Sequence, residues 1–118
     1  MIRSVCFTGN RPEKLQSPYQ EDSSQMQLMK KVLRWELEEL IKQGAKDFYT
    51  GMAQGIDLIA AEQLLALGRE GITLTAVIPF RGQAAGWEQF WRDRYERVLS
   101  QCSRKIVLAE HYTPQCFQ

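Results

Sequence analysis

The chain has 118 residues, the size of one domain, and its 44% hydrophobic and 25% charged residues are typical of a folded globular protein. Fifteen basic and fourteen acidic side chains leave a formal charge of +1, so no global charge attracts the chain to nucleic acid or to a membrane surface. No apolar run approaches the roughly 20 residues that cross a bilayer.

The cysteines and the single histidine do not form a metal-binding pattern. Cys6, Cys102 and Cys116 are far apart, and His111 alone is too little for a zinc site. An odd number of cysteines indicates reduced thiols, and the first residues lack the pattern of a signal peptide. We therefore expect a cytoplasmic protein that holds no metal and no cofactor.

Short apolar runs alternate with longer helical periods, which is typical of a parallel sheet covered by helices. Strands are predicted at residues 2–8, 47–50, 73–78 and 105–108, and helices at residues 24–43, 55–67 and 84–100. This order predicts a single domain over residues 1–118, with the first strand near the centre of the sheet. The helical spacing of Trp87, Trp91 and Tyr95 favours a place in the core over a stacking surface.

The first predicted helix has a wider apolar arc than one sheet can cover. Ser24 and Gln27 fit a capping box at its start. Leu28, Val32 and Trp35 lie beside the face that should pack on the sheet, and a soluble monomer rarely leaves such a cluster exposed. We therefore predict a homodimer with this helix in its interface. The alternative is that residues 10–23 fold back over Trp35 within one chain.

The turn after the second strand is the most informative candidate site, because open parallel sheets bind ligands beyond the carboxyl ends of their strands. Residues 51–57 read Gly-Met-Ala-Gln-Gly-Ile-Asp, with a strand ending at the first glycine and a helix beginning at the second. Glycines permit close approach of the backbone to a ligand, and the free amides of a helix start attract anions. The spacing also fits a plain strand-to-helix turn, and it matches neither the dinucleotide fingerprint nor the P-loop.

Several polar residues lie near the expected edge. Asp57 either contacts a ligand or caps its helix. Glu62 either binds a ligand hydroxyl or marks the wet edge of that helix. Thr8, Asn10 and Arg11 follow the first strand, where Arg11 either pairs with a phosphate in a fork geometry or bonds loop carbonyls at the surface.

Three segments resemble the YpsA-like branch of the SLOG superfamily, which includes the Rossmann domain of DNA-processing protein A and the Lonely Guy phosphoribohydrolases. They are residues 7–15 (Phe-Thr-Gly-Asn-Arg-Pro-Glu-Lys-Leu), residues 51–62 and residues 78–83 (Ile-Pro-Phe-Arg-Gly-Gln). The resemblance implies a Rossmann-like, three-layer α/β/α fold with a mainly parallel four-stranded sheet and a site for a nucleotide-like ligand. Together with the strand ends, it gives as ligand-binding residues Thr8, Gly9, Asn10, Arg11, Gly51, Met52, Gly55, Ile56, Asp57, Glu62, Pro79 and Phe80.

The sequence also departs from that branch. Its members usually continue for another strand or two, with an aspartate-bearing segment and a second glycine-rich turn, whereas this sequence ends at Gln118. We therefore expect either a short or truncated domain or a pocket completed by a second subunit. Nothing matches the PGGxGTxxE segment that carries the catalytic glutamates of the Lonely Guy enzymes.

Three functions follow from these observations. The leading interpretation is a cytosolic module that binds or senses a nucleotide or an ADP-ribose-like derivative, which favours a binding role over an enzymatic one and leaves the question of catalysis open. The first alternative is a hydrolase of the N-glycosidic bond of a nucleotide, with Glu62 as its catalytic candidate, which the absent catalytic segment disfavours. The second is a single-stranded DNA-binding protein, which the balanced charge disfavours.

Overall fold

A computed structural model of the chain describes residues 3–7 and 23–109. Strands and helices alternate along them, which confirms the predicted α/β class. The strands are β1 (Ser4–Phe7), β2 (Asp47–Thr50), β3 (Thr73–Ile78) and β4 (Arg104–Val107). The helices are α1 (Ser24–Lys42), α2 (Ile56–Leu67) and α3 (Gln89–Gln101).

The four strands form one parallel sheet in the order β1-β2-β3-β4, which confirms the predicted parallel four-stranded sheet. Because all strands run in the same direction, their carboxyl ends meet at one edge, where Phe7 pairs with Thr50 and Thr50 with Ala76. We expected β1 near the centre of the sheet, but among the described strands it is an edge strand. The central positions belong to β2 and β3.

The helices form one layer against this sheet. Right-handed crossovers between neighbouring strands that follow chain order place every connecting helix on the same face. The contacts agree, since α2 packs against α1, α3, β1 and β2. Of the three layers expected, the described residues supply the sheet and this helical layer. None of the helices in this part of the chain is long and apolar enough to cross a membrane.

The N-cap of helix α1 lies one residue earlier than predicted. Ser23 is the N-cap, with extended backbone and a side-chain oxygen that accepts a hydrogen bond from the Met26 amide at 3.1 Å. The predicted capping box at Ser24 and Gln27 is therefore wrong, because the neighbouring serine makes the same kind of bond one position upstream. Met26 and Leu37 are buried on the inner face of the helix.

Helix α2 is the centre of the core. Its sequence is apolar nearly all round, which predicts burial on most sides, and the side chains of Leu58, Ile59 and Ala61 are fully buried. They join Phe48 of β2 in one continuous hydrophobic cluster. The helix ends at Gly68, whose left-handed backbone (φ 60°) suits glycine.

Helix α3 begins later than predicted, at Gln89 instead of residue 84. The preceding segment forms turns, in which Gly82 has φ 81° and its carbonyl accepts a hydrogen bond from the Ala85 amide at 2.9 Å. Trp87 therefore lies outside the helix, yet its ring meets Tyr95 edge to face at 5.4 Å. Trp91 and Tyr95 are buried, which confirms their predicted place in the core.

The packing of α2 gives a test of this core. Leu58→Ala should lower the free energy of unfolding by about 2–5 kcal/mol, because it leaves a cavity where a fully buried side chain was. Leu108→Ala is the matched control: Leu108 is 62% exposed, and the change should cost less than about 0.5 kcal/mol. Urea unfolding of both variants gives the comparison, and equal losses would contradict the packing described.

Candidate functional site

The structure describes eight of the twelve predicted ligand-binding residues. Thr8, Gly9, Asn10 and Arg11 lie outside the described residues, as do His111 and Cys116. The other eight fall in three places: the turn from β2 into α2, the middle of α2, and the end of β3. Most of these eight residues lie in the turn.

The turn between β2 and α2 has an unusual backbone. Met52 has φ 61°, a left-handed conformation rare for a residue other than glycine, and its side chain is fully buried. Its amide donates a hydrogen bond to the Thr50 hydroxyl at 3.2 Å. Gly55, the N-cap of α2, has φ 95° and ψ −129°, which a residue with a Cβ rarely adopts. The chain therefore reverses between sheet and helix over only a few residues.

The start of α2 has no side-chain cap. A helix leaves its first amides without partners inside the helix, and glycine at the N-cap supplies no side-chain acceptor for them. Ile56, the first helical residue, is half-buried. This end of the helix can thus offer backbone donors to an acceptor from outside.

Asp57 lies behind this turn and is only 6% exposed. Burial raises the pKa of its carboxyl from 3.8 to about 6, and a hydrogen bond from the Ala53 backbone lowers it in part. The other carboxyl oxygen, Oδ1, is buried and has no hydrogen-bond partner among the described residues. Oxygen Oδ2 lies so close to Gly51 that a Cβ added there would meet it at 3.2 Å. A buried carboxyl with an oxygen that lacks a hydrogen-bond partner lowers the stability of the folded protein.

Gln83 is a site residue that our sequence analysis did not single out. Its Nε2 donates a hydrogen bond to the Gly51 carbonyl at 3.2 Å, which ties the turn after β3 to the turn after β2. Its Oε1 is buried and also without a hydrogen-bond partner in the described part of the chain. The only sequence signal was its place in the segment of residues 78–83 that resembles the SLOG branch. Gly51 therefore lies close to two side chains, Asp57 and Gln83, that each keep a buried acceptor oxygen without a hydrogen-bond partner among the described residues.

The end of β3 forms the side of this region. Pro79 and Phe80 directly follow the strand and are half-buried. The Arg81 amide donates a hydrogen bond to the Ala109 carbonyl at 2.8 Å, so the segment after β3 is held to the segment after β4. The structure thus brings the ends of β2 and β3 together as predicted by their parallel order.

Glu62 lies between α2 and α3, on the body of the helix rather than at its start. It accepts a hydrogen bond from Nε of Arg94 at 3.0 Å and a second one from Nη2 of the same guanidinium. The Arg94 side chain is 5% exposed and also lies over the ring of Trp91, 4.8 Å from its centre. This arrangement makes Glu62 the counter-ion of a buried arginine, a role that our sequence analysis did not consider.

No metal centre accompanies these groups in the described residues. Over residues 3–7 and 23–109, no three His, Cys, Asp or Glu side chains are placed to hold an ion together. Among the described residues, the polar groups at the ends of β2 and β3 include the backbone amides at the start of α2, the Asp57 carboxyl and the Gln83 amide.

The family assignment rests on nearly the whole chain. The model of the YpsA family, described as the YspA SLOG family, matches residues 5–118. The chain belongs to this family. The match includes the turn after β2, the turn after β3 and the segment of residues 8–11. It confirms the resemblance seen in the sequence motifs and agrees with the Rossmann-like parallel sheet.

Two relatives show how far the similarity extends. The chain is 26% identical to a UPF0398 protein of Bacillus thuringiensis (strain Al Hakam), over 99% of this chain and 65% of that protein. It is 22% identical to a UPF0398 protein of Staphylococcus aureus (strain JH9), over 84% of this chain and 54% of that protein. The chain thus spans less than two thirds of the length of these curated relatives.

The state of Asp57 predicts how stability depends on pH. The unfolded chain releases this proton near pH 3.8, whereas the folded protein holds it up to about pH 6. The folded form binds more protons between these values, so this group lowers stability as pH rises from about 4 to 6, and the loss persists above. Asp57→Asn should remove this loss and raise the free energy of unfolding at pH 8 by about 1–3 kcal/mol.

Urea unfolding of wild type and Asp57→Asn between pH 4 and pH 8 measures this effect. The gain from the substitution should be smallest at pH 4 and should grow through the window set by the two pKa values. A gain that is the same at every pH would mean that the carboxyl is not held in its protonated form by burial.

The pairing of Glu62 predicts a structural penalty. Glu62→Gln removes the carboxylate that pairs with the buried Arg94 guanidinium and should lower the free energy of unfolding by about 3–5 kcal/mol. Glu39→Gln is the control, since it breaks the exposed pair with Lys42 and should cost less than about 1 kcal/mol. If Glu62→Gln is as stable as the control variant in urea, Glu62 does not serve the fold in the way described.

Proposed function

We propose that the chain is a cytosolic module that binds a nucleotide or a nucleotide-derived ligand, such as ADP-ribose, at the carboxyl edge of the sheet. The observation that carries the proposal is the pair of unused buried acceptors, Oδ1 of Asp57 and Oε1 of Gln83, on either side of Gly51. Each is costly without a donor, and both belong to turns at the ends of parallel strands, where such folds bind ligands. Membership of a SLOG family supports a nucleotide-related ligand.

The two kinds of group at this edge suit the two parts of a nucleotide. The uncapped start of α2 offers backbone donors and the positive end of the helix dipole, which favour a phosphate. The acceptors of Asp57 and Gln83 need donors, and the hydroxyls of a ribose are donors of the right kind. Arg11, four residues beyond the end of β1 in the sequence, is our candidate for the side chain that pairs with the phosphate.

The alternative functions have weaker support. A hydrolase would need a free acid or base near the bond to be cleaved, and Glu62 already accepts hydrogen bonds from Nε and Nη2 of Arg94. We therefore place no catalytic step on Glu62. A single-stranded DNA-binding protein would need a basic surface, and the formal charge of +1 does not favour one.

Three glycine variants test the ligand site. Gly55→Val places a branched side chain where φ is 95°, and Gly51→Ala places a methyl group 3.2 Å from the Asp57 carboxyl. Both should abolish the rise in melting temperature that AMP, ADP-ribose or NAD gives to the wild type, because each changes the turn that the ligand approaches. Gly86→Ala is the matched control, since a Cβ there meets nothing within 4 Å.

The outcomes separate the hypotheses. Loss of the ligand-induced shift in folded Gly51→Ala, with the shift kept in Gly86→Ala, supports the site. Binding as tight as that of the wild type in both site variants would show that the ligand binds elsewhere. Chromatography of the incubated nucleotides is the second measurement: intact ligand is expected, and released base would support the hydrolase instead.

A further inference from the structure

Helix α1 carries an apolar stripe on its outer side. Leu28, Val32 and Trp35 follow one another at spacings of four and three residues, so they lie along one face of the helix. Their exposed fractions are 62%, 50% and 61%. These three residues are called the outer stripe below.

The outer stripe is not the face that α1 uses for the core. Met26 and Leu37 are the buried residues of this helix, and Met29, Leu33 and Leu40 pack against the same cluster. A tryptophan and two aliphatic side chains in one exposed row are typical of the core of a protein interface. The fold of the described residues therefore leaves this surface without an explanation.

We infer that the outer stripe is the interface of a homodimer in which α1 packs antiparallel to α1 of a second copy. A two-fold axis brings the same surface of both copies together, so a stripe that runs along one helix can cover itself. In the antiparallel arrangement each Trp35 lies opposite Val32 of the other copy, and the tryptophans cover the aliphatic side chains across the axis.

The charges beside the stripe favour this second copy. Lys31 and Glu38 are seven residues apart, so they lie on the same flank of the outer stripe, separated by two turns of the helix. In an antiparallel pair, this flank of one helix packs against the same flank of the other helix, which runs in the opposite direction. Each Lys31 therefore lies opposite Glu38 of the other copy. Glu38 already binds Arg69 within its own chain, and its side chain remains 30% exposed. The symmetric arrangement thus forms two attractive pairs.

A parallel arrangement is less favourable. Glu39 follows Trp35 by four residues and so continues the line of the outer stripe. Parallel helices would bring the two copies of Glu39 face to face, and like charges so placed repel. The antiparallel arrangement moves them apart and also opposes the two helix dipoles favourably.

The test is the mass of the 118-residue chain in solution, measured by light scattering and by sedimentation over a range of concentrations. The wild type should be a dimer. Trp35→Glu should remain folded by circular dichroism and raise the dissociation constant of the dimer by about thirtyfold or more, as for a residue at the centre of an interface. Leu108→Glu is the control, because Leu108 is as exposed as Leu28 but lies after β4.

The charge pairs give a second measurement that does not depend on Trp35. Lys31→Glu alone should weaken the dimer by about threefold or more, since it places two carboxylates opposite each other. Adding Glu38→Lys to the same chain reverses both partners and should restore most of the affinity. This recovery requires that the two residues meet across a two-fold axis.

Four results would overturn the inference. A wild type that stays monomeric at high concentration excludes the dimer. If the Trp35→Glu and Val32→Lys variants are still dimers, the interface lies elsewhere. The interface also lies elsewhere if the Leu108→Glu variant is a monomer. A double charge variant no tighter than Lys31→Glu excludes the antiparallel pairing.

Discussion

The turn from β2 into α2 is the constraint on which the fold and the candidate site both depend. Strand β2 pairs with a neighbour on each side, and α2 is the helix that contacts both other helices. The chain must therefore leave the middle of the sheet and enter the middle of the helical layer within a few residues. Met52 and Gly55 meet this demand with positive φ values.

The strain at Met52 is offset by its surroundings. A non-glycine residue in the left-handed region costs on the order of 1 kcal/mol or more. Full burial of a methionine side chain contributes about 1.5–3 kcal/mol, and the hydrogen bond from its amide to Thr50 adds to this. The conformation is therefore stable because the side chain is held in the core, where it packs with the cluster around α2. The same backbone path leaves the start of that helix, at the sheet edge, without a side-chain cap.

At this edge of the sheet, burial has a larger effect on the pKa of Asp57 than the helix dipole has. A carboxylate in the first turn of a helix gains at most about 2 kcal/mol from the dipole, which by itself would lower the pKa. The pKa instead rises to about 6, a change of roughly two units that corresponds to about 3 kcal/mol in the opposite direction. The free-energy cost of removing the carboxylate from water must therefore exceed the stabilisation that the helix dipole and the Ala53 hydrogen bond give to it. A carboxyl kept at that cost is a candidate for contact with the proposed ligand.

Local patterns in the sequence were enough to predict most of the elements. The bounds of β2 and β3 are those expected from their apolar runs, and the glycines at residues 55 and 68 marked the ends of α2. The predicted start of α3 was wrong because the apolar spacing continued back to Trp87, whereas Gly82 and Gly86 favour turns in the segment before Gln89. Periodicity alone does not weigh such glycines against a hydrophobic pattern.

What the sequence could not supply is pairing between distant residues. The edge position of β1 depends on which strands lie beside it, and a strand sequence does not encode its neighbours. The bond between Arg94 and Glu62 joins residues 32 apart, and Arg94 on its own is typical of a solvated helix face. Gln83 carried no chemical signal until its amide was seen against Gly51. The role of residues 8–11, which lie outside the described residues, stays a prediction.

For a nucleotide bound as proposed, the charge of Asp57 limits which part of the ligand can lie beside it. At neutral pH a carboxyl with a pKa of about 6 is mostly ionised, and a phosphate in contact with it would be repelled unless a proton were taken up. A hydroxyl donor has no such cost and would supply the hydrogen bond that Oδ1 lacks among the described residues. The phosphate is better accommodated by the backbone amides at the uncapped start of α2, next to Gly55. The electrostatics of the turn thus favour the sugar next to Asp57 and Gln83 and the phosphate at the first residues of α2.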